Sequence, residues 1–282
     1  MISVIICSRT SEINPVFYNN INKTIGSAHE FIIIDNSQNK YSIFEAYNIG
    51  IAKSQGDYWC FIHDDILFHS QDWGKVVERI FEQDSKIGLI GVAGTKVKTK
   101  MPSVWWDCSE QYKVINIIQH LDRQKNEHWH QGFHHESTIE EVVVIDGVFM
   151  AARRVDSICF SNKLTGFHNY DLNLSFEYLK RNYKIVVSDE ILLDHFSMGS
   201  INFSWYQSSI KLHSIYKNLL PLQAFSQTSL DIKKNEFENG SKFLIEASSY
   251  INKLTFIQLW MKLIILKPRS KRHFIFFKLL LQ

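Results

Sequence analysis

His63, Asp64 and Asp65 follow one another at the end of an apolar run, Tyr58 to Ile62, and apolar residues resume at Ile66. An imidazole and two carboxylates at such a place suit a hard divalent cation, with substrate phosphates completing its shell. Successive residues of an extended strand point to opposite faces, so His63 and Asp65 should share a face while Asp64 turns away. The plainer reading is a strand-end turn with solvated acids. Polar residues close two earlier apolar runs in the same way: Ser8-Arg9 after "ISVIIC" and Asp35-Asn36 after "FIII". Downstream, Asp146 precedes Gly147, Asp171 stands near the start of a helical pattern, and His195 follows "ILLD".

The elements that must position these residues are legible from periodicity. "ISVIICS", "HEFIIID", "DYWCFI" and "IGLIGVAGT" read as buried strands. "INPVFYNNINKTI", "IFEAYNIGIAKSQG" and "DWGKVVERIFEQD" read as helices between them. Continuously apolar strands alternating with helices predict an α/β fold with a mostly parallel sheet flanked by helices. In such sheets ligands sit beyond the carboxyl ends of the strands. All three polar strand ends fall on that edge. Residues 101–140 show no steady period. Trp105, Trp106 and Trp129 are mixed there with His120, His128, His130, His134 and His135, which predicts a long loop or irregular insert. "EEVVVIDGVFMAARR" reads as a strand broken at Asp146-Gly147. "FHNYDLNLSFEYLKRNYKIVV" reads as loop, helix and strand, and "DEILLDHFSMGS" as a strand running into a loop. From about Ile201 the pattern is helical, with an exposed linker near 226–242.

Taken in order, "VIICSRT", "IIIDNS", "YNIGIAKSQGDYWCFIHDD", "EVVVIDGVFMAARR", "TGFHNYDLNLSFEYLKRNYKIVV" and "LLDHFSMGS" resemble the family-2-like glycosyltransferases of GT-A fold over about residues 1 to 200. His63-Asp64-Asp65 resembles the variant that reads His-x-Asp where others read Asp-x-Asp. The resemblance implies a divalent cation, Mn2+ or Mg2+, held by Asp65 with His195 as a further ligand. His63 would lie by the ribose or diphosphate, with Asp64 at the variable middle position. Ser8 and Arg9 would line the nucleotide, Asp35 would contact its base, and Asn48 would lie near the donor. Asp171 matches the catalytic base, and Asp146 an acid near the acceptor and donor sugar. The implied reaction moves a sugar, with inversion, from a nucleotide-sugar donor (UDP by family frequency) to a glycan or lipid-linked glycan. The cation would offset charge on the departing nucleotide, and the base would deprotonate the acceptor hydroxyl. In many relatives a second acid stands beside the base; here Leu172-Asn173-Leu174 follows Asp171. Plainer alternatives remain at this level: a helix cap for Asp171, a turn acid for Asp146, an Asx-turn for Asp35 and a satisfied polar residue for His195.

The 282 residues carry a net charge of +2, with 45% hydrophobic and 21% charged residues, which describes a globular chain without the strong field of a nucleic-acid binder. Cys7, Cys60, Cys108 and Cys159 form no C-x-x-C pair and read as reduced core residues of a cytosolic protein. The apolar run Val4 to Cys7 is too short for a signal peptide, and no run approaches the ~18 residues of a membrane span. The expected organisation is a catalytic domain over 1–205 and a helical extension over 206–282. In the extension Lys253, Lys262, Lys267, Arg269, Lys271, Arg272 and Lys278 flank apolar clusters. Residues 253–282 suit a helix lying on an anionic membrane surface, which would put the enzyme at the inner face of the cell membrane. A helix packed on the catalytic domain or a homodimer contact are the alternatives. The histidines between 120 and 135 read as surface loop, acceptor lining or, with least support, a zinc site, since no Cys partner or H-E-x-x-H spacing accompanies them. Two other functions compete. A nucleotidyltransferase would want a glycine-rich phosphate loop, and "CSRTSEINP" has no glycine. A glycan- or nucleotide-binding module would keep the site without turnover.

Overall fold

The computed structural model describes residues 1–121, 126–225 and 229–281. Along the chain, β1 (Ile2–Ser8), α1 (Pro15–Thr24), β2 (His29–Asp35), α2 (Ile43–Lys53), β3 (Tyr58–Ile62), β4 (Ile66–Phe68), α3 (Trp73–Gln83) and β5 (Ile87–Gly91) come first. Then come β6 (Ala93–Thr95), β7 (Val97–Lys98), β8 (Lys113–His120), β9 (Asn126–Gln131), β10 (Ile139–Val142), β11 (Val144–Ile145) and β12 (Phe149–Arg153). They are followed by α4 (Tyr170–Leu179), β13 (Lys184–Ser188), β14 (Leu193–His195), α5 (Phe203–Ile215), β15 (Leu222–Gln223), α6 (Ser229–Glu246), α7 (Lys253–Leu266) and α8 (Arg272–Leu281).

The local chemistry accounts for several of these boundaries. Asn14 caps α1 by accepting from the Val16 amide, with Pro15 at the first helical position. Ser42 and Glu45 form a reciprocal capping box at the start of α2. The main sheet has the order β10-β13-β5-β12-β3-β1-β2. β1 runs parallel to β2 and β3, and β13 parallel to β5, whereas β12 lies antiparallel between β3 and β5. The register sets Ser8 opposite Asp35 and Ile6 opposite Ile62, so the carboxyl ends of β1, β2 and β3 finish at one edge. Side chains from all of these strands and from α1 to α4 share one buried core.

Three expectations change. Apart from 122–125, which fall outside the described residues, 101–140 are not an irregular insert: β8 belongs to a second sheet of order β11-β6-β8-β14-β4, and β9 pairs antiparallel with it. β9 reads Asn-Glu-His-Trp-His-Gln and is mostly exposed, so it has no apolar face to reveal it. The predicted linker over 226–242 lies largely in α6, which starts at Ser229; residues 226–228 fall outside the described residues. The four cysteines are free, as expected, but only Cys60 is fully buried, and Cys159 is exposed.

A second apolar cluster lies under the C-terminal helices. Phe237, Phe243 and Leu244 of α6, Phe256, Leu259 and Leu263 of α7 and Phe276 of α8 pack with Met101, Val104, Trp205 and Tyr206. Helix α5 crosses residue 205/206 and serves both clusters, since Leu212 belongs to the main core. Glu236 of α6 accepts from the amides of Lys100 (2.5 Å) and Met101 (2.8 Å), and Asn239 donates to the Asp107 carbonyl (2.6 Å). The helices therefore hold the 99–107 segment in place.

Candidate active site

Strand β3 stops at Ile62, and His63 to Asp65 form a bend leading into β4 rather than a continuation of the strand. The alternation expected for an extended strand is consequently broken. Asp64 and Asp65 converge on one cation instead of turning apart. Arg9 Nη2 donates to Asp64 Oδ1 at 2.6 Å and to Asp65 Oδ2 at 2.9 Å. Asp64 also takes the Arg9 backbone amide at 2.9 Å, which ties the β1 loop to the bend. Ser8 is buried; its hydroxyl donates to the Thr10 carbonyl at 2.8 Å and shapes the same loop.

The other oxygen of Asp65 is the unusual atom. Asp65 Oδ1 is buried and has no hydrogen-bond partner. Such a group costs about 1–3 kcal/mol, and more when charged, unless something compensates it. His63 Nδ1 lies 3.7 Å from it and His195 Nε2 3.9 Å. One ligand atom from each of His63, Asp65 and His195 falls within 4.8 Å of the others, and among the described residues no other three-residue group of this kind occurs. Burial would raise the Asp65 carboxyl, but His63, the Ser197 hydroxyl and the Arg9 guanidinium hold it below the usual range.

Distant strands deliver these groups. β14 pairs antiparallel with β4, placing His195 opposite Ile66, and the Phe196 amide donates to the Asp65 carbonyl at 3.1 Å. β14 also runs parallel to β8, placing His195 opposite Gln119. The Gln119 amide nitrogen faces the carbonyls of Ser197 (2.9 Å), His120 (3.1 Å) and His195 (3.2 Å). Carbonyls only accept, so the NH2 end must face them. Gln119 Oε1 then accepts from His195 Nδ1 at 2.9 Å. Burial lowers the His195 pKa, which favours the uncharged ring. A neutral ring protonated at Nδ1 leaves the Nε2 lone pair toward Asp65, with the Ser197 hydroxyl at 3.3 Å as its other neighbour. This is the second-layer arrangement that orients metal-ligating imidazoles. On the far side, His63 Nε2 hydrogen-bonds the Tyr170 hydroxyl. A Cβ at Gly147 would stand 2.3 Å from that hydroxyl, so the glycine makes room for the tyrosine.

The two remaining acids lie close by. Asp171 occupies the first turn of α4, and the helix cap is Asn169, so Asp171 is not the cap. Burial and the nearby Asp146 push the Asp171 carboxyl up to about 7. Asp146 accepts from the Val148 amide (2.8 Å), as a turn acid does, and from Trp105 Nε1 (2.7 Å). Trp105 belongs to the segment held by α6. Asp35 lies beside Ser8 at the strand edge but is exposed, and its Oδ1 accepts from the Ser37 amide at 2.9 Å, an Asx-turn. Asn48 uses both ends of its amide on the Phe160 backbone, at 2.9 Å each, and so fixes that loop. Tyr170 and Gln119 escaped the sequence reading. Tyr170 stands one residue before Asp171, and Gln119 lies in a segment whose strand character is hidden by polar neighbours.

A cavity of about 400 Å3 lined by Asp57, Tyr58, Arg153, Arg154 and Asp156 lies at the other end of β3, away from these groups.

Comparisons with known proteins bear on the family and the fold. The profile of the glycosyltransferase-like family matches residues 3–212. Among solved structures, GalNAc-T7 with UDP, GalNAc and Mn2+ is 12% identical, with TM-score 0.54 over 84% of this chain and 54% of that one. S. aureus TarS 1–349 is 10% identical, with TM-score 0.51 over 93% of this chain and 78% of that one. Its complex with UDP-GlcNAc gives TM-score 0.50 at 10% identity, covering 94% and 88%. No match was found among curated proteins.

Proposed function

Because this chain belongs to the glycosyltransferase-like family and shares the GT-A fold of those structures, we propose that it is an inverting, cation-dependent glycosyltransferase using a nucleotide-sugar donor, a UDP-sugar, and a glycan or lipid-linked glycan acceptor. The observation that carries the reading is the buried, unpartnered Asp65 Oδ1 facing two imidazole nitrogens at the carboxyl edge of the sheet. An orphaned carboxylate oxygen facing two imidazole nitrogens fits a divalent ion such as Mn2+ or Mg2+. Asp65, His63 and His195 would hold the ion, which when bound offsets negative charge on the departing nucleoside diphosphate. His63 thus moves from a diphosphate neighbour to a ligand.

The remaining roles follow from placement. Arg9 is two-thirds exposed, and its guanidinium could exchange Asp64 for a phosphate oxygen. Ser8 and Asp35 frame the nucleotide side of the edge. Asp171, with a carboxyl near neutrality, is suited to take the proton of an acceptor hydroxyl at physiological pH. Burial raises the Asp171 carboxyl most, and Asp146, fixed by Trp105, adds to it. The deprotonated hydroxyl oxygen would form its bond to the anomeric carbon as the bond to the diphosphate oxygen breaks, which inverts that centre.

The test is release of nucleotide from a panel of UDP-, GDP- and CMP-sugars with Mn2+. Slow hydrolysis of one donor, absent in Asp65→Ala, is the expected result. Tight donor binding without release under any acceptor would make the chain a binding module instead.

A further inference from the structure

Helices α7 and α8 are apolar on two sides. Phe256, Leu259 and Leu263 of α7 and Phe276 of α8 are buried in the second cluster. On the opposite side of α7, Leu254, Ile257, Met261, Ile264 and Ile265 are exposed, Ile265 by 81% and Leu254 by 66%. At 3.6 residues per turn these five fall within about 100° of arc. Phe274, Ile275, Phe277 and Leu281 of α8 are exposed as well, Phe274 by 74%. A surface helix ordinarily carries polar residues at such positions.

The charges around this stripe have one sign. From Ala247 to Gln282 there are seven cations, Lys253, Lys262, Lys267, Arg269, Lys271, Arg272 and Lys278, and no Asp or Glu. Arg272 is drawn inward to Glu238 at 2.6 Å; the other six are exposed.

We propose that the outer faces of α7 and α8 dock on an anionic lipid bilayer, the apolar stripe among the acyl chains and the cations among the headgroup phosphates. Neither helix crosses. At 14 and 10 residues they are about 21 and 15 Å long against a hydrocarbon core of ~30 Å. Among the described residues no helix is long and apolar enough to span. A second copy of the chain fits the face poorly. A two-fold contact would set these cations against themselves with no acid in the segment to offset them. Because α6 packs on both helices and clamps the segment bearing Trp105, docking would also hold the candidate active site at the bilayer surface. That consequence for a lipid-carried acceptor rests on the transferase reading; the docking does not.

The experiment is flotation of the full chain with vesicles of phosphatidylcholine alone or mixed with phosphatidylglycerol, with sedimentation of the lipid-free protein alongside. Flotation is expected with the mixed vesicles only, and high salt should weaken it. Each of Arg269→Gln and Lys271→Gln should reduce partitioning about fivefold. Ile265→Glu with Phe274→Glu should abolish it while the far-ultraviolet circular dichroism stays that of the wild type. Absence of flotation with mixed vesicles overturns the proposal, as does flotation unchanged by the two glutamates. A dimer that these glutamates dissociate, without vesicle binding, would assign the face to a second copy.

Discussion

Two neighbouring residues of β14 divide the histidine chemistry of this molecule. Asp194 is saturated: His69 Nε2 lies 2.5 Å from one of its oxygens and His120 Nε2 2.7 Å from the other. The same holds on and beside β9, where His128 meets Asn116 (2.9 Å), His130 meets Asp189 (2.6 Å) and His134 meets Glu140 (2.6 Å). One residue further on, His195 aims a lone pair at an Asp65 oxygen that nothing satisfies. Both regions are rich in histidine and acid. The first closes its hydrogen bonds internally and so fixes strands, whereas the second leaves one buried carboxylate oxygen unpaired beside two imidazoles, which is costly unless a ligand completes it.

Substitutions should separate the two regions. Asp65→Asn has the largest expected effect, a loss of about 10⁴-fold in transfer, since a catalytic cation supplies several kcal/mol of charge stabilisation. Steady-state nucleotide release is the assay; a loss below tenfold would remove Asp65 from the centre of the account.

Asp171→Asn comes next, with a loss of about 10³-fold. Its stability effect has the opposite sign. The folded pKa of about 7 lies above the unfolded value near 3.9, so the stability linked to the protonated side chain is complete below about pH 4 and lost as pH rises through about 7. At pH 8 the asparagine variant should therefore melt at a higher temperature than the wild type. Wild-type transfer should rise with pH through about 7. Thermal melts and a pH–rate profile check both, and a variant that melts lower at pH 8 would point to a structural acid.

Gln119→Leu removes the group that orients His195 and should weaken Mn2+ binding by about 10- to 100-fold. Donor binding measured without metal should change little. At the small end, His130→Gln and His134→Gln in the saturated region should leave transfer within about twofold and stability within about 1 kcal/mol. A larger loss of transfer in either would mean that this region takes part in the reaction.

The parallel half of the sheet was legible because each strand is a continuous apolar run and each helix carries its own period, as in "FIIID" and "IFEAYNIGIAK". The polar strand ends could be placed on one edge for the same reason. Long-range pairing was not legible. Gln119 reaches His195 only through the β8–β14 register, and β8 lies in a segment whose partner strand is polar and exposed. Tyr170 was missed because its role depends on a hydroxyl meeting His63 across 107 residues. The bend after Ile62 also escaped, since nothing in His63-Asp64-Asp65 distinguishes a bend from a strand end. The polar faces of α6 passed for a linker because a helix of low mean hydropathy shows only a faint stripe.

The most direct measurement is a Mn2+ titration followed by electron paramagnetic resonance in the presence of UDP, on the wild type and on His195→Ala. The account predicts one bound ion per chain in the wild type, with its free-ion signal lost on binding, and binding weakened at least tenfold in the variant. Equal binding in the two proteins, or none in the wild type with UDP supplied, would contradict it.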